Sequence, residues 1–203
     1  VPCYNEEDAV VSTVQAIHRA LGDRGDYEIV VVDDGSTDHS HERLLQEAEE
    51  TGSFRYVAHA TNRGYGAALK SGIEQAEGDL IAITDADGTY PVEDFPKLLE
   101  AAEEADMVVG ARVGEHVINP WLRRIPKAFL KAYVSWLVSR KVPDMNSGMR
   151  VFRRELAERF LRTLPDGFSF TTTITVAALI NRYDVEFVPI DYSARVGDSK
   201  IRP

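Results

Sequence analysis

Apolar positions along this chain follow two rhythms in turn. Val10, Val14, Ile17 and Leu21 are spaced four, three and four apart, which predicts one buried helical face. Acidic Glu6, Glu7 and Asp8 just ahead of them suit the positive end of a helix. The run "YEIVVV" (27–32) is nearly all apolar, as a strand covered on both faces should be. "DDGSTD" then reads as a turn, in which Ser36, Thr37 or Asp38 caps a helix running to about Glu50. "FRYVAHA" (54–60) predicts the next strand, "NRGYG" leads into a helix through about Ala76, and "DLIAIT" (79–84) is a strand again. Pro91 precedes a helix rich in leucine and alanine, and "DMVVGA" (106–111) predicts another strand.

Strands and helices alternating at this spacing predict an α/β fold, a mostly parallel Rossmann-like sheet flanked by helices. In such sheets ligands gather at the carboxyl ends of the strands. Acidic or glycine-bearing turns follow the strands at 27–32, 54–60 and 79–84, and their coincidence is the first functional signal. No internal repeat or linker divides the chain, so residues 1–203 are expected to form a single domain. "VPCYNEE" reads as the end of a strand and "GDSKIRP" as an equally abrupt finish, so the expectation is a domain excised from a longer protein.

Charge changes the picture in the second half. The chain carries a net charge of −10, which argues against generic nucleic-acid binding but leaves phosphorylated ligands open. From His116 to Pro143 there is no Asp or Glu, while Arg123, Arg124, Lys127, Lys131, Arg140 and Lys141 are all present. Leu122, Ile125, Phe129, Tyr133 and Trp136 fall on one helical stripe there, with Pro126 as a possible break. A basic amphipathic helix suits a membrane surface or an anionic ligand; a core-packing helix with a solvated face is the plainer alternative. No apolar run reaches the length of a membrane span, and the single cysteine, Cys3, is expected to pack rather than react.

The sharpest chemistry lies in "DADGTYP". Side chains two apart on an extended segment face the same way, so Asp85 and Asp87 would present two carboxylates together, with Ala86 facing oppositely. A divalent cation with oxygen ligands, magnesium or manganese, would offset their repulsion and bridge them to a diphosphate; capping aspartates in a turn are the alternative. Gly64 and Gly66 allow close backbone approach before a helix N-terminus, but Leu69 stands where a dinucleotide-binding turn needs its third small residue.

"VPCYNEE", "VVVDDGSTD", "NRGYGAALKSG", "DADGTYP", "NSGMRVFRR", "GFSFTTT" and "VPIDYSARVGDSK", in this order, resemble the family 2 glycosyltransferases of GT-A fold. Within that family they resemble the polyprenyl-phosphate enzymes of the dolichol-phosphate mannose synthase type. The resemblance implies a nucleotide-sugar site formed by Pro2, Tyr4, Asn5, Glu6, Asp33, Asp34, Gly64, Gly66, Asp85, Ala86 and Asp87, with one of Asp33 and Asp34 reading the base. It implies a magnesium or manganese ion on Asp85 and Asp87. Thr89 stands where some relatives carry a metal-reaching Gln. Acceptor-phosphate contacts are implied at Arg112, Arg124, Ser147 and Arg150, and Arg195, Ser199 and Lys200 resemble a loop closing over the donor diphosphate. The implied reaction is hexose transfer from a nucleotide-diphosphate sugar to a polyprenyl phosphate, with inversion, at the cytoplasmic face of a membrane. Competing readings are a soluble acceptor, a sugar nucleotidyltransferase and a non-catalytic nucleotide-sugar-binding domain.

Overall fold

The computed structural model describes residues 1–22, 25–112, 134–136, 138 and 140–192. The first half alternates as its pattern predicts: β1 (Pro2–Cys3), α1 (Val10–Leu21), β2 (Val30–Asp33), α2 (Ser40–Thr51), β3 (Arg55–Ala58), α3 (Tyr65–Gln75) and β4 (Leu80–Ile83). A 3-10 turn (Val92–Asp94) and α4 (Phe95–Ala101) lead into β5 (Met107–Arg112). After the segment at 113–133 come β6 (Arg150–Arg153), α5 (Arg154–Phe160), α6 (Phe170–Ile180) and β7 (Val185–Ile190). Helix α1 buries Val10, Val14 and Ile17, the stripe read from spacing, and stops where Gly22 turns to φ +58°. Asp38 Oδ1 accepts the Ser40 amide at 3.0 Å, which satisfies one of the unpaired donors at the start of α2.

The strands form two sheets. β1, β2 and β3 pair in parallel in that order; the second sheet runs β4-β6-β5-β7. β5 and β7 are parallel, but β6 runs antiparallel to both of its neighbours, matching Ile83 with Arg150 and Leu80 with Arg153. The second sheet is therefore more mixed than strand–helix alternation implies. Helix α3 packs on both units: Ala68 meets Val30 and Val32 of the first sheet, whereas Leu69 and Ile73 enter a cluster with Phe152, Phe170 and Ile174. A second cluster gathers Val10, Val14, Val31, Leu44, Leu98 and Val151 around α1 and α4. Cys3 is buried in that cluster, and burial followed by the nearby Asp33 carboxylate pushes its thiol up to about 12, so it packs rather than reacts. Among the described residues no helix is long and apolar enough to cross a membrane.

A cavity of about 780 Å3 lies between the sheets, lined by Ile29, Val30, Ile73, Leu80, Ile81 and Leu99 among others. Its lining follows β4 along its whole length to Thr84. The Val32 amide donates to the Val1 carbonyl at 2.9 Å, so β1 already points along β2 into this slot. An apolar extension of about four residues ahead of Val1 would continue that pairing and fill the slot. It is expected to raise Tm by about 4 °C or more over a Gly-Ser extension of equal length, because side-chain burial outweighs the ordering cost. Calorimetry of the two extended chains checks this; equal Tm values would show that the slot does not take a strand.

Candidate active site

The loops after β1 and β2 are laced together by their own polar atoms. Asn5 sits at φ +54°, a left-handed conformation that asparagine tolerates better than most residues. Its Oδ1 accepts the Thr37 amide at 2.7 Å and the Asp38 amide at 3.3 Å, while its own amide donates to Ser36 Oγ at 2.9 Å. The Glu6 amide donates to Ser40 Oγ at 2.8 Å. Asn5 thus joins two loops, Pro2 is buried in β1, and Tyr4 and Glu6 are the partly exposed members of the expected nucleotide loop.

Asp33 and Asp34 are only 2% and 3% exposed. Asp33 Oδ1 accepts the Ser36 amide at 3.0 Å and its Oδ2 accepts the Tyr56 hydroxyl at 3.1 Å. Asp34 Oδ1 accepts the Arg63 amide at 2.9 Å and lies 2.6 Å from His59 Nδ1; its Oδ2 accepts the Gly64 amide at 2.8 Å. The pair expected to read the base is thus held by the protein's own donors. Both carboxylates face inward because the amides of two tight turns need acceptors.

The glycines of "NRGYG" also serve the protein itself. Gly64 has φ +106°, and a Cβ there would lie 2.5 Å from the Asp166 carbonyl oxygen. A Cβ on Gly66 would lie 2.2 Å from the Pro165 carbonyl oxygen. The Ala67 amide donates to the Asp166 carbonyl at 3.1 Å, and Lys70 Nζ bonds Asp166 Oδ1 at 2.7 Å. What approaches this helix N-terminus is the 165–167 loop, which is admitted by Gly64 and Gly66, the glycines expected in the nucleotide-sugar site.

The Asp pair lies at the carboxyl end of β4. The strand ends at Ile83 and the chain turns over Ala86 and Asp87, with Gly88 at φ +71°. A turn, not a continuing pleat, therefore sets the two carboxylates. Ala86 is buried and its carbonyl accepts Thr13 Oγ1 at 3.1 Å, so it anchors the turn to α1 and offers no side chain to a ligand. Asp87, 8% exposed, accepts the Thr89 amide at 3.1 Å and the Thr89 hydroxyl at 2.7 Å on one oxygen. Thr89 thus orients Asp87. Asp85 Oδ1 accepts the Tyr65 hydroxyl at 2.8 Å. On its other side stands Gly148, where a Cβ would come within 2.7 and 2.8 Å of the two Asp85 oxygens. Only glycine leaves this carboxylate its place.

Arg112, at the end of β5, forms a two-pronged pair with Asp144: Nε to Oδ2 at 2.7 Å and Nη2 to Oδ1 at 3.0 Å. Its guanidinium lies 5.3 Å over the Tyr192 ring, and Tyr192 meets Tyr90 edge-on at 5.1 Å. The Gly148 amide donates to the Tyr90 hydroxyl at 2.6 Å, which closes a chain of contacts from Arg112 round to Asp85. Ser147 and Arg150 are both 0% exposed. Arg150 donates to the carbonyls of Met145, Ser147 and Thr171 and to Thr175 Oγ1. The two residues expected to contact an acceptor phosphate are thus enclosed, and the guanidinium directs most of its donors to backbone carbonyls. Arg124, Arg195, Ser199 and Lys200 lie outside the described residues.

Residues 1–161 match Glycosyl transferase family 2. The chain belongs to that family. An undecaprenyl-phosphate 4-deoxy-4-formamido-L-arabinose transferase of Pseudomonas fluorescens is 34% identical across 100% of this chain and 59% of its own length. A low-salt glycan biosynthesis hexosyltransferase, Agl6, of Haloferax volcanii is 33% identical over 99% of this chain and 48% of its own. The chain thus spans about half to three-fifths of these relatives. Glucosyl-3-phosphoglycerate synthase from Mycobacterium tuberculosis, solved with Mn2+, UDP and phosphoglyceric acid, superposes with a TM-score of 0.75 at 22% identity over 98% of this chain and 69% of that one. The GT-A fold expected from the motifs is the fold observed.

In this family 2 domain, Tyr65, Tyr90, Asp144, Gly148 and Tyr192 complete the site around the residues expected from sequence. Tyr65 and Tyr90 stood inside quoted motifs, yet nothing in their spacing revealed that they would meet Asp85 and Gly148. Burial alone would raise the Asp144 carboxyl, but its hydrogen bonds to Arg112 outweigh that and hold it below the usual carboxylate range. A lowered folded-state value means the pair stabilises the fold above the ordinary range, near pH 4, and is lost as pH falls through the folded value. Both side chains are mostly shielded, at 21% and 12% exposure, so Asp144→Asn is expected to cost about 2 kcal/mol at neutral pH. That corresponds to a fall in Tm of about 4–8 °C, with less further loss on acidification than the parent shows. Thermal melts from pH 7 to pH 3 check both points.

Proposed function

We propose that residues 1–203 are one catalytic domain that transfers a hexose from a nucleotide-diphosphate sugar to a polyprenyl phosphate, with inversion, at the cytoplasmic face of a membrane. The observation that carries the reading is the Asp85–Asp87 turn, where one carboxylate is held by Tyr65 and Gly148 and the other by Thr89. Two hard oxygen donors suit magnesium or manganese, which keep their remaining positions for phosphate and water. Among the described residues no group of three or more His, Cys, Asp or Glu could cage a metal alone, which agrees with a site completed by its substrate. A divalent cation held by Asp85 and Asp87 would neutralise charge on the leaving nucleotide diphosphate. Tyr4 and Glu6, partly exposed on the loop after β1, are the proposed nucleotide contacts. Arg195 and Lys200 are the proposed cations closing over the diphosphate, and Arg124 the proposed acceptor contact.

A phosphate monoester is largely dianionic near neutral pH, so it attacks the anomeric carbon without first losing a proton to a base. The domain's task is therefore to hold two phosphorylated substrates in line, and charge stabilisation lowers the barrier. The relatives named for undecaprenyl phosphate support a lipid acceptor. So does Trp136, 74% exposed beside the basic segment, since tryptophan suits the membrane interface. The test is a donor screen of UDP-glucose, GDP-mannose and UDP-GlcNAc against undecaprenyl phosphate with Mn2+, reading glycolipid product. Asp87→Asn is expected to lower turnover by about a hundredfold or more with the fold intact by circular dichroism. Undiminished product after chelation, or sugar transfer only to a soluble phosphorylated acid, would overturn the reading.

A further inference from the structure

Asp85 does not set its own direction. Its Oδ1 accepts from a tyrosine at the first position of α3, a residue whose placement is fixed from three sides. Gly64 supplies the φ +106° entry to the helix, the Ala67 amide is tied to the Asp166 carbonyl, and Lys70 pairs with the Asp166 side chain at 2.7 Å. The same loop then lays Phe168 on the Tyr65 ring, stacked at 5.4 Å between centroids and 17° between planes. Phe168 is 59% exposed, so the stack covers the Tyr65 ring from the surface.

We propose that Tyr65, locked by the Phe168 stack, is the positioning residue that orients the Asp85 carboxylate toward the metal-bound donor diphosphate. The inference rests on the reading of Asp85 and Asp87 as the metal and diphosphate contact. A carboxylate offers about four acceptor directions, so one hydrogen bond fixes its rotation and still allows it to ligate. Gly148 lies against both carboxylate oxygens, and any larger residue there would push the carboxylate aside. Partners that orient a metal ligand typically change metal affinity tenfold to a hundredfold when removed.

The test is Mn2+ titration by electron paramagnetic resonance, with and without UDP, on the purified chain. Tyr65→Phe keeps the ring stack and loses only the hydroxyl, and is expected to weaken Mn2+ binding in the presence of UDP about tenfold or more. Phe168→Ala is expected to weaken it by a smaller factor, and Phe168→Tyr to restore it. Because both residues act through one oxygen of Asp85, the double variant Tyr65→Phe with Phe168→Ala should be no worse than Tyr65→Phe alone. Multiplying losses, or unchanged Mn2+ affinity in Tyr65→Phe while Asp85→Asn loses it, would overturn the positioning role and leave the metal reading standing. Unchanged affinity in Asp85→Asn would remove the metal reading and this inference with it. Melting curves of each variant separate loss of positioning from loss of fold.

Discussion

One enclosed guanidinium organises the acidic end of this molecule. Arg150 is 0% exposed, and a buried charge of that size costs several kcal/mol unless its donors are met. They are met by chain rather than by a carboxylate: the carbonyls of Met145, Ser147 and Thr171 and the hydroxyl of Thr175. Burial lowers its ionisation to about 10, which still leaves it charged at neutral pH. The guanidinium therefore pulls the 145–147 turn onto α6 and holds it there. Everything that turn delivers follows from this: Asp144 to Arg112, the Gly148 amide to Tyr90, and the bare Cα of Gly148 to Asp85.

That dependence explains which parts of the site were legible in the sequence. The elements from α1 to β5 could be read because each follows one period, and Val10, Val14 and Ile17 are buried as their spacing requires. β6 was not read. Its four residues begin and end in arginine, and charged ends look like surface until Arg150 is seen to lie inside. The Asp85–Asp87 turn was legible by residue type and position, but not the reason its carboxylates hold still, which rests on contacts with Tyr65 at a separation of twenty residues and with Gly148 much further along.

The glycines before α3 teach a narrower lesson. A glycine-bearing turn before a helix says that something comes close to the backbone, and it does not say what. At Gly64 and Gly66 the visitor is the carbonyl of Asp166 or Pro165, a partner a hundred residues away whose identity no local pattern carries. The same holds for Asp33 and Asp34. Two aspartates at a strand end can read a base or satisfy turn amides, and residue type alone does not separate the two. Here three backbone amides, those of Ser36, Arg63 and Gly64, bond the two carboxylates, and His59 is held beside them by the amide it donates to the Asp33 carbonyl.

The position of α3 gives these local facts a common logic. The nucleotide-side loops belong to the first sheet and the acidic turn belongs to the second, and β pairing does not join the two sheets among the described residues. Helix α3 bridges them: Ala68 packs on Val30 and Val32, Leu69 and Ile73 enter the other core, and Tyr65 at its tip reaches Asp85. The Thr13 hydroxyl on the Ala86 carbonyl is a second tie, from α1. A shift of one sheet against the other would thus be felt first at the Asp85 carboxylate, because the helix that would tilt carries the hydroxyl that orients it. Packing of α3 in both cores holds the loops of the two sheets in place relative to each other, and the exposed Phe168 stack braces that helix at the end where a displacement would matter most.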